Sequence, residues 1–363
     1  MVGHWCNCAH SGRLGFYLGS ANPHEFIKRQ QPDTGSIVLK AKCVVGLGLP
    51  PDLIASLAQR YEVMHWSESF AMPEATLREW LSDARGLLCA LSTPITSQVM
   101  ESANQLSVIS TISVGVDHID LAAATSAGIP VGHTPGVLVD STADLALGLM
   151  LAVTRRMAEA DRWMRGGNWT QGWQSDLLLG TDLSQATVGI VGLGSIGQAV
   201  IRRLTGFGCK LVAWNRTPKS IDGVQMLELD EVFAISDIVT LHTSLTEDTT
   251  HIASRTRLAS MRSGAALINT GRGLLVDEQA LTEEVCAERL MAGLDVFSTE
   301  PVPNHHPLLR QDNAVLLPHV GSATLATRLA MVDRAVANLH AGMSGERLSY
   351  CANPEVYAAS AVC

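Results

Sequence analysis

The chain has 363 residues, of which 47% are hydrophobic and 17% charged, and its formal net charge is −9. At about 150 residues per domain this length implies roughly two domains and excludes a lone small module. The composition excludes a disordered or nucleic-acid-coating chain. The apolar run Leu145–Val153, bounded by Asp144 and Arg155, is far shorter than the ~20 residues a bilayer requires, so no membrane span is expected.

Residues 1–38 are rich in Gly, Ser, Asn, Gln and Pro without a sustained period, and read as a poorly ordered extension with no secretory core. Arg13, Lys28 and Arg29, with no acid before Glu25, give it a faint organelle-targeting character, although a dispensable leader is the simpler reading. His4, Cys6, Cys8 and His10 could hold a soft metal but lack the paired spacing of common zinc modules, so a mobile terminal stretch is the simpler reading here too. The eight cysteines form no framework, and several lie in apolar runs; reduced thiols in a cytoplasmic protein are expected.

From Leu39 onward, apolar runs at 43–46, 61–66, 86–91 and 107–112 read as strands. Between them, 51–60, 73–84 and 97–103 read as helices, the first two opened by a proline, whose missing N–H had no partner in a first turn. One long helix is expected from Ser141 to about Arg165, ended by Gly166-Gly167-Asn168. Further strands are expected at 187–191, 210–214, 238–242, 265–269, 291–296 and 314–317. This alternation gives the fold class: an α/β chain with two Rossmann-like or flavodoxin-like parallel-sheet domains and a cleft between them. The expected limits are 39–140, completed by 321–350, for a substrate-binding domain and 141–320 for a dinucleotide-binding domain.

The string TVGIVGLGSIGQAVIRRL places Gly192, Gly194 and Gly197 between an apolar strand and an amphipathic helix. Gly192 permits a tight turn, Gly194 a close approach of backbone to a pyrophosphate, and Gly197 close helix–strand packing. The helix N-terminus, with Ser195 and Ile196, would face the phosphates. Where an NAD site carries an acid at the end of the next strand, this chain has Asn215-Arg216-Thr217. A guanidinium can bind a 2′-phosphate that a carboxylate would repel, so NADP(H) is the expected cofactor.

Beyond the loop, Arg272 in INTGRG, Glu300 in GLDVFSTEP and His319 in LLPHVGSAT sit at or after strand ends, where they can converge. With VGLGSIG and SVGVDHID, these strings resemble the D-isomer-specific 2-hydroxyacid dehydrogenases over about residues 40–350, most closely the glyoxylate/hydroxypyruvate reductases. The resemblance implies NADPH-dependent reduction of glyoxylate and hydroxypyruvate to glycolate and D-glycerate. It implies that Arg272 pairs with the substrate carboxylate, that His319 is the general acid and that Glu300 holds its other ring nitrogen. It further implies substrate contacts from Val114, Gly115 and Ser322, and cofactor contacts from Ser244, Thr270 and Asp295, the last accepting from the nicotinamide carboxamide. Capping or turn roles for Ser322 and Ser244 are the plainer alternatives.

Two departures from the family stand out: the extension has no counterpart, and the segment between Arg272 and Glu300 is one residue short, which is expected to shorten the helix through Cys286 but could displace Glu300. His118, His133, His242, His305 and His306 read as scaffold histidines. No metal-ligand spacing is present, and hydride transfer needs none. Trp163, Trp169 and Trp173 fall where the family carries an arm around a partner subunit, so a homodimer is expected, the alternative being that they fill the chain's own core. A competing function is that of a dinucleotide-sensing corepressor of the same fold, against which the Asn215-Arg216 pair argues. NAD-dependent phosphoglycerate dehydrogenase is disfavoured by the missing acid, and formate dehydrogenase by Glu300 in place of glutamine.

Overall fold

A computed structural model describes residues 40–359; the His4, Cys6, Cys8 and His10 group and the rest of residues 1–39 and 360–363 lie outside the described residues. The first sheet has five strands, β1 (Lys42–Val45), β2 (Glu62–His65), β3 (Gly86–Cys89), β4 (Val108–Thr111) and β5 (Val131–Gly132). All its pairs are parallel, in the order β2-β1-β3-β4-β5. The crossovers carry α1 (Pro51–Arg60), α2 (Glu74–Leu81), α3 (Ser97–Glu101) and α4 (Leu121–Ser126). Pro51 opens α1 at its first turn, and the side chains of Thr96 and Asp120 cap α3 and α4 by accepting the Val99 and Ala123 N–H groups.

The chain then forms α5 (Val139–Thr154) and α6 (Met157–Arg165) rather than one helix from 141 to 165. The break has a local cause: the Thr154 carbonyl, which would have continued the ladder, accepts the N–H of Thr181 at 2.9 Å, and Arg156 takes a left-handed φ of 51°. The guanidinium of Arg156 holds Glu159 of the next turn at 2.7 Å and starts a new helix axis. Gly167, left-handed at φ 73°, follows the end of α6 as expected for that residue type.

The second sheet holds seven strands, all paired in parallel: β6 (Thr187–Val191), β7 (Lys210–Trp214), β8 (Val224–Met226), β9 (Ile238–Leu241), β10 (Ala266–Asn269), β11 (Met291–Leu294) and β12 (Ala314–Leu316). Their order is β12-β11-β10-β9-β6-β7-β8, so the order reverses between β6 and β9, the crevice where doubly wound folds take ligands. The helices α7 (Ser195–Leu204), α8 (Leu229–Ile235), α9 (Arg255–Ser260) and α10 (Glu278–Cys286) form its crossovers. Strands such as IVTL and ALIN are buried at every position because both faces are covered. One face packs on α5 and α7 through Leu149, Met150, Val200 and Leu204, and the other on α8–α10 through Phe233, Leu258 and Leu281. Each such large side chain contributes roughly 1.5–3 kcal/mol by leaving water.

The last long helix, α11 (Leu325–Met343), returns to cover the first sheet, where Met331, Ala335 and Leu339 pack with Val45, Leu88 and Val108. No helix among the described residues is long and apolar enough to cross a membrane. The buried thiols of Cys43 and Cys89 are both pushed up to about 12 by desolvation and are inert packing groups. Trp163 is half-buried, but Trp169 and Trp173 are 52% and 86% exposed, so these two do not fill the chain's own core.

Candidate active site

The turn from β6 into α7 has the geometry its glycines allow. Gly192 adopts φ 100°, and a Cβ there would lie 2.8 Å from the His242 backbone and the Thr243 methyl group. A Cβ on Gly197 would collide with the Gly192 carbonyl oxygen, which is the close strand–helix packing the third glycine permits. Gly194 faces open space, and no side chain caps α7 above it. A positive helix end with free N–H groups over an open cradle fits a pyrophosphate. Two buried hydroxyls without partners, Thr243 Oγ1 and Thr270 Oγ1, follow β9 and β10 on the same rim and fit the polar edge of a dinucleotide.

The residues expected to read the ribose are placed less uniformly. Asn215 holds the loop itself: its Oδ1 accepts the Leu193 N–H at 2.8 Å and its Nδ2 donates to the Thr217 carbonyl at 2.7 Å. Arg216 is well exposed and only loosely paired with Asp248, at 3.9 Å. A second cation escaped the sequence reading: Lys219 Nζ donates to the Leu193 carbonyl at 2.8 Å and so stands at the glycine-rich loop. Ser244 is exposed, and its carbonyl accepts from Thr249 Oγ1 at 2.7 Å, a turn role.

Asp295 anchors a turn. Only 1% exposed, it accepts the Val320 and Gly321 N–H groups, one on each oxygen, both at 2.7 Å. Burial pushes its carboxyl above the ordinary range while those two N–H bonds pull the other way. It therefore fixes the turn that carries His319. The strain at that turn is visible in His319 itself, whose φ is 54° and whose N–H is held by the Asp295 carbonyl at 2.9 Å.

Arg272, Glu300 and His319 come together. His319 Nδ1 lies 2.8 Å from Glu300 Oε2, leaving Nε2 free, and the other Glu300 oxygen accepts the Phe297 N–H at 3.0 Å. Burial raises the Glu300 carboxyl, but the bonds from His319 and Phe297 and the nearby His319 and Arg272 charges outweigh it, so it lies below the usual carboxylate range. The one-residue shortening therefore leaves Glu300 in place. Gly273 explains how closely the two loops approach, since a Cβ there would run into the Phe297–Ser298 backbone. Glu278, at the start of α10, braces that backbone by accepting from Ser298 N and Oγ at 2.8 and 2.7 Å.

Arg272 crosses to the loop after β4. Its Nη2 lies where a Cβ of Gly115 would be, and its Nε donates to Asp117 at 3.0 and 3.2 Å. Neither Val114 nor Gly115 offers its N–H to any group among the described residues, while the Gly115 carbonyl accepts from Ser113 Oγ at 2.7 Å. Ser113 Oγ meets Thr111 Oγ1 at 2.8 Å, and Thr111 Oγ1 meets His118 Nε2 at 3.1 Å. Burial lowers His118 and His242 to about 4, so both stay neutral near pH 7 and serve as scaffold. Ser322 is half-buried near His319; it does not cap α11, because Thr324 does, accepting the Thr327 N–H at 3.2 Å. Among the described residues no group of three or more His, Cys, Asp or Glu could share a metal ion.

Two parallel sheets whose strand-end loops meet over an Arg–Glu–His set, beside a glycine-rich helix N-terminus, define a two-domain dinucleotide-dependent oxidoreductase. The chain belongs to the D-isomer specific 2-hydroxyacid dehydrogenase family, whose NAD binding domain matches residues 147–321. It is 40% identical over 343 residues to a glyoxylate reductase of Thermofilum pendens, covering 93% of this chain and 96% of that one. It is likewise 40% identical over 309 residues to the glyoxylate reductase/hydroxypyruvate reductase of Mus musculus, covering 83% and 94%. Among solved structures, an NADPH-dependent glyoxylate/hydroxypyruvate reductase from Sinorhizobium meliloti, in complex with NADP and malonate, superposes with a TM-score of 0.78 at 31% identity, covering 87% of this chain and 98% of that one.

Proposed function

We propose that the chain reduces glyoxylate and hydroxypyruvate to glycolate and D-glycerate with NADPH, His319 being the proton donor. The observation that carries this reading is the His319–Glu300 pair at 2.8 Å beside Arg272, itself reaching the loop of free Val114 and Gly115 N–H groups. Those two N–H groups and the free edge of the guanidinium suit the carboxylate of a small 2-keto acid, with Ser322 as a polar neighbour. The keto oxygen then faces His319 Nε2, which delivers its proton as negative charge develops there, and the Glu300 carboxylate stabilises the imidazolium before transfer. A dihydronicotinamide held in the dinucleotide cradle would supply the hydride for the keto carbon. The Gly192, Gly194, Ser195, Ile196 and Gly197 turn would hold the pyrophosphate, and Thr270 the polar edge of the dinucleotide.

Arg216 and Lys219 support NADPH over NADH, since two cations flank the loop where an acid would repel the 2′-phosphate. Arg216→Asp is expected to lower kcat/KM for NADPH by about 10- to 100-fold, the scale of one or two charge-assisted hydrogen bonds, with a smaller change for NADH. Steady-state rates with both cofactors and with glyoxylate, hydroxypyruvate and pyruvate check this; an unchanged preference for NADPH contradicts the selector role.

The domain limits supported by this reading are 39–140 with 321–350 for substrate and 141–320 for cofactor, in a cytoplasmic enzyme. The exposed Met157, Met164, Trp169, Trp173 and Leu179 follow one another along the segment after α5, an apolar surface suited to a second copy of the chain. A homodimer is expected in sedimentation at working concentration, and Trp169→Glu with Trp173→Glu should shift it to monomer. A wild-type monomer would contradict the dimer.

A further inference from the structure

We infer that Asp117 is a positioning residue that aims the Arg272 guanidinium from across the cleft, an inference that rests on the substrate role proposed for Arg272. The two side chains are 155 positions apart, one on the loop after β4 and the other on the loop after β10, so their bond joins the two sheets' domains at the site itself. The side chains of Arg272 and Asp117 are 22% and 32% exposed, so the pair is partly shielded from solvent.

The donors of Arg272 divide cleanly. Nε–H goes to Asp117, one Nη1–H goes to the Gly271 carbonyl at 2.9 Å, and Nη2 stays against Gly115 with no protein acceptor. Asp117 thus takes the inner edge of the guanidinium and leaves the outer edge for a ligand carboxylate. The backbone on both sides is fixed. Asn269 Oδ1 accepts the Gly271 N–H at 3.0 Å and its Nδ2 donates to the Arg272 carbonyl at 2.8 Å, while Ser113 pins the Gly115 carbonyl on the facing loop.

A second carboxylate competes for the same cation. Arg272 is near enough to Glu300 for its charge to act on that carboxyl. Were Asp117 removed, the long and flexible arginine would be drawn toward Glu300, and the acid that holds His319 Nδ1 would be shared. Asp117 therefore keeps Arg272 for the substrate and Glu300 for the imidazole.

The test is a double-mutant cycle in the full chain, with glyoxylate kinetics and with melting temperature and NADPH affinity as controls for folding. Asp117→Ala is expected to lower kcat/KM by about 100-fold, mostly in kcat, as misplaced orienting groups do. Asp117→Asn, which retains an acceptor for Nε–H, should recover most of that loss. In an Arg272→Gln background, Asp117→Ala should change kcat/KM by less than about twofold, because the group it positions is gone. Equal losses in both backgrounds, or no loss in the parent background, would overturn the inference. If Asp117→Ala does not fold, Asp117→Ser, too short to reach Nε, takes its place in the cycle. A crippling Arg272→Gln with a harmless Asp117→Ala sinks only the role of Asp117; a harmless Arg272→Gln sinks the substrate role of Arg272 as well.

Discussion

Replacing His319 with asparagine is expected to lower kcat by about 10²–10⁴-fold, the contribution of a positioned general acid, while melting temperature and NADPH affinity stay near wild type. The confinement to kcat follows from the geometry. The ring is partly exposed and its one side-chain partner among the described residues is Glu300, so its loss leaves no buried group stranded except one carboxylate oxygen that water can reach. The backbone of the turn stays tied to Asp295 whatever side chain stands at 319. Glu300→Gln separates the two members of the pair. An amide cannot stabilise a protonated imidazole as an ionised carboxylate does, so the rate of reduction should fall near neutral pH and recover as the pH is lowered. Because Glu300 lies below the usual carboxylate range, it remains ionised in wild type through mildly acidic pH. Near-wild-type turnover in His319→Asn would remove the histidine from the chemistry.

Arg272→Gln is the second large effect. A keto acid offers its carboxylate to the free edge of the guanidinium through about two charge-assisted bonds of roughly 1.5–3 kcal/mol each, so kcat/KM should fall about 10²–10⁴-fold. Part of the loss should appear in KM, unlike that of His319→Asn, because these bonds form in the ground state as well as the transition state. Asp117 would be left with no cation in a partly shielded loop, and this pairing loss belongs to the measured effect. Steady-state kinetics with glyoxylate over a range reaching well above the wild-type KM check both parts. A variant with unchanged KM and kcat would show that the carboxylate is held elsewhere.

The sequence announced the long regular elements best. The helix 51–60 and the strands 187–191 and 210–214 stand at their expected limits, since each pairs a clear apolar pattern with an end signal such as Pro51 or Gly192. What went unseen was mostly short or depended on contacts, although the 19-residue α11 was not anticipated as a helix either. Strand β5 has two residues and β8 three, too few for a period to register, and α4 has six, with its signal in the Asp120 cap. The break between α5 and α6 was illegible because its cause, the Thr181 N–H, arrives from the segment that follows α6.

The candidate site followed the same division. Arg272, Glu300 and His319 could be placed because each stands at a strand end in a distinctive string. Asp117 was in plain view in VGVDHID, two residues beyond Gly115, yet nothing local distinguishes a carboxylate that meets Arg272 from a solvated one. Asp295 carries a second role that its string does not reveal: it accepts two backbone N–H groups and ties the turn of His319. Lys219 could have been found from the run Asn215-Arg216-Thr217-Pro218-Lys219, where a second cation follows closely on the first.

The most direct measurement is the change in NADPH absorbance when purified protein meets glyoxylate or hydroxypyruvate, with the product identified. The expected result is cofactor oxidation matched one for one by glycolate or by the D isomer of glycerate. Absence of oxidation with glyoxylate, hydroxypyruvate and pyruvate alike, in protein that binds NADPH, would contradict the reading of this cleft as a keto-acid reductase.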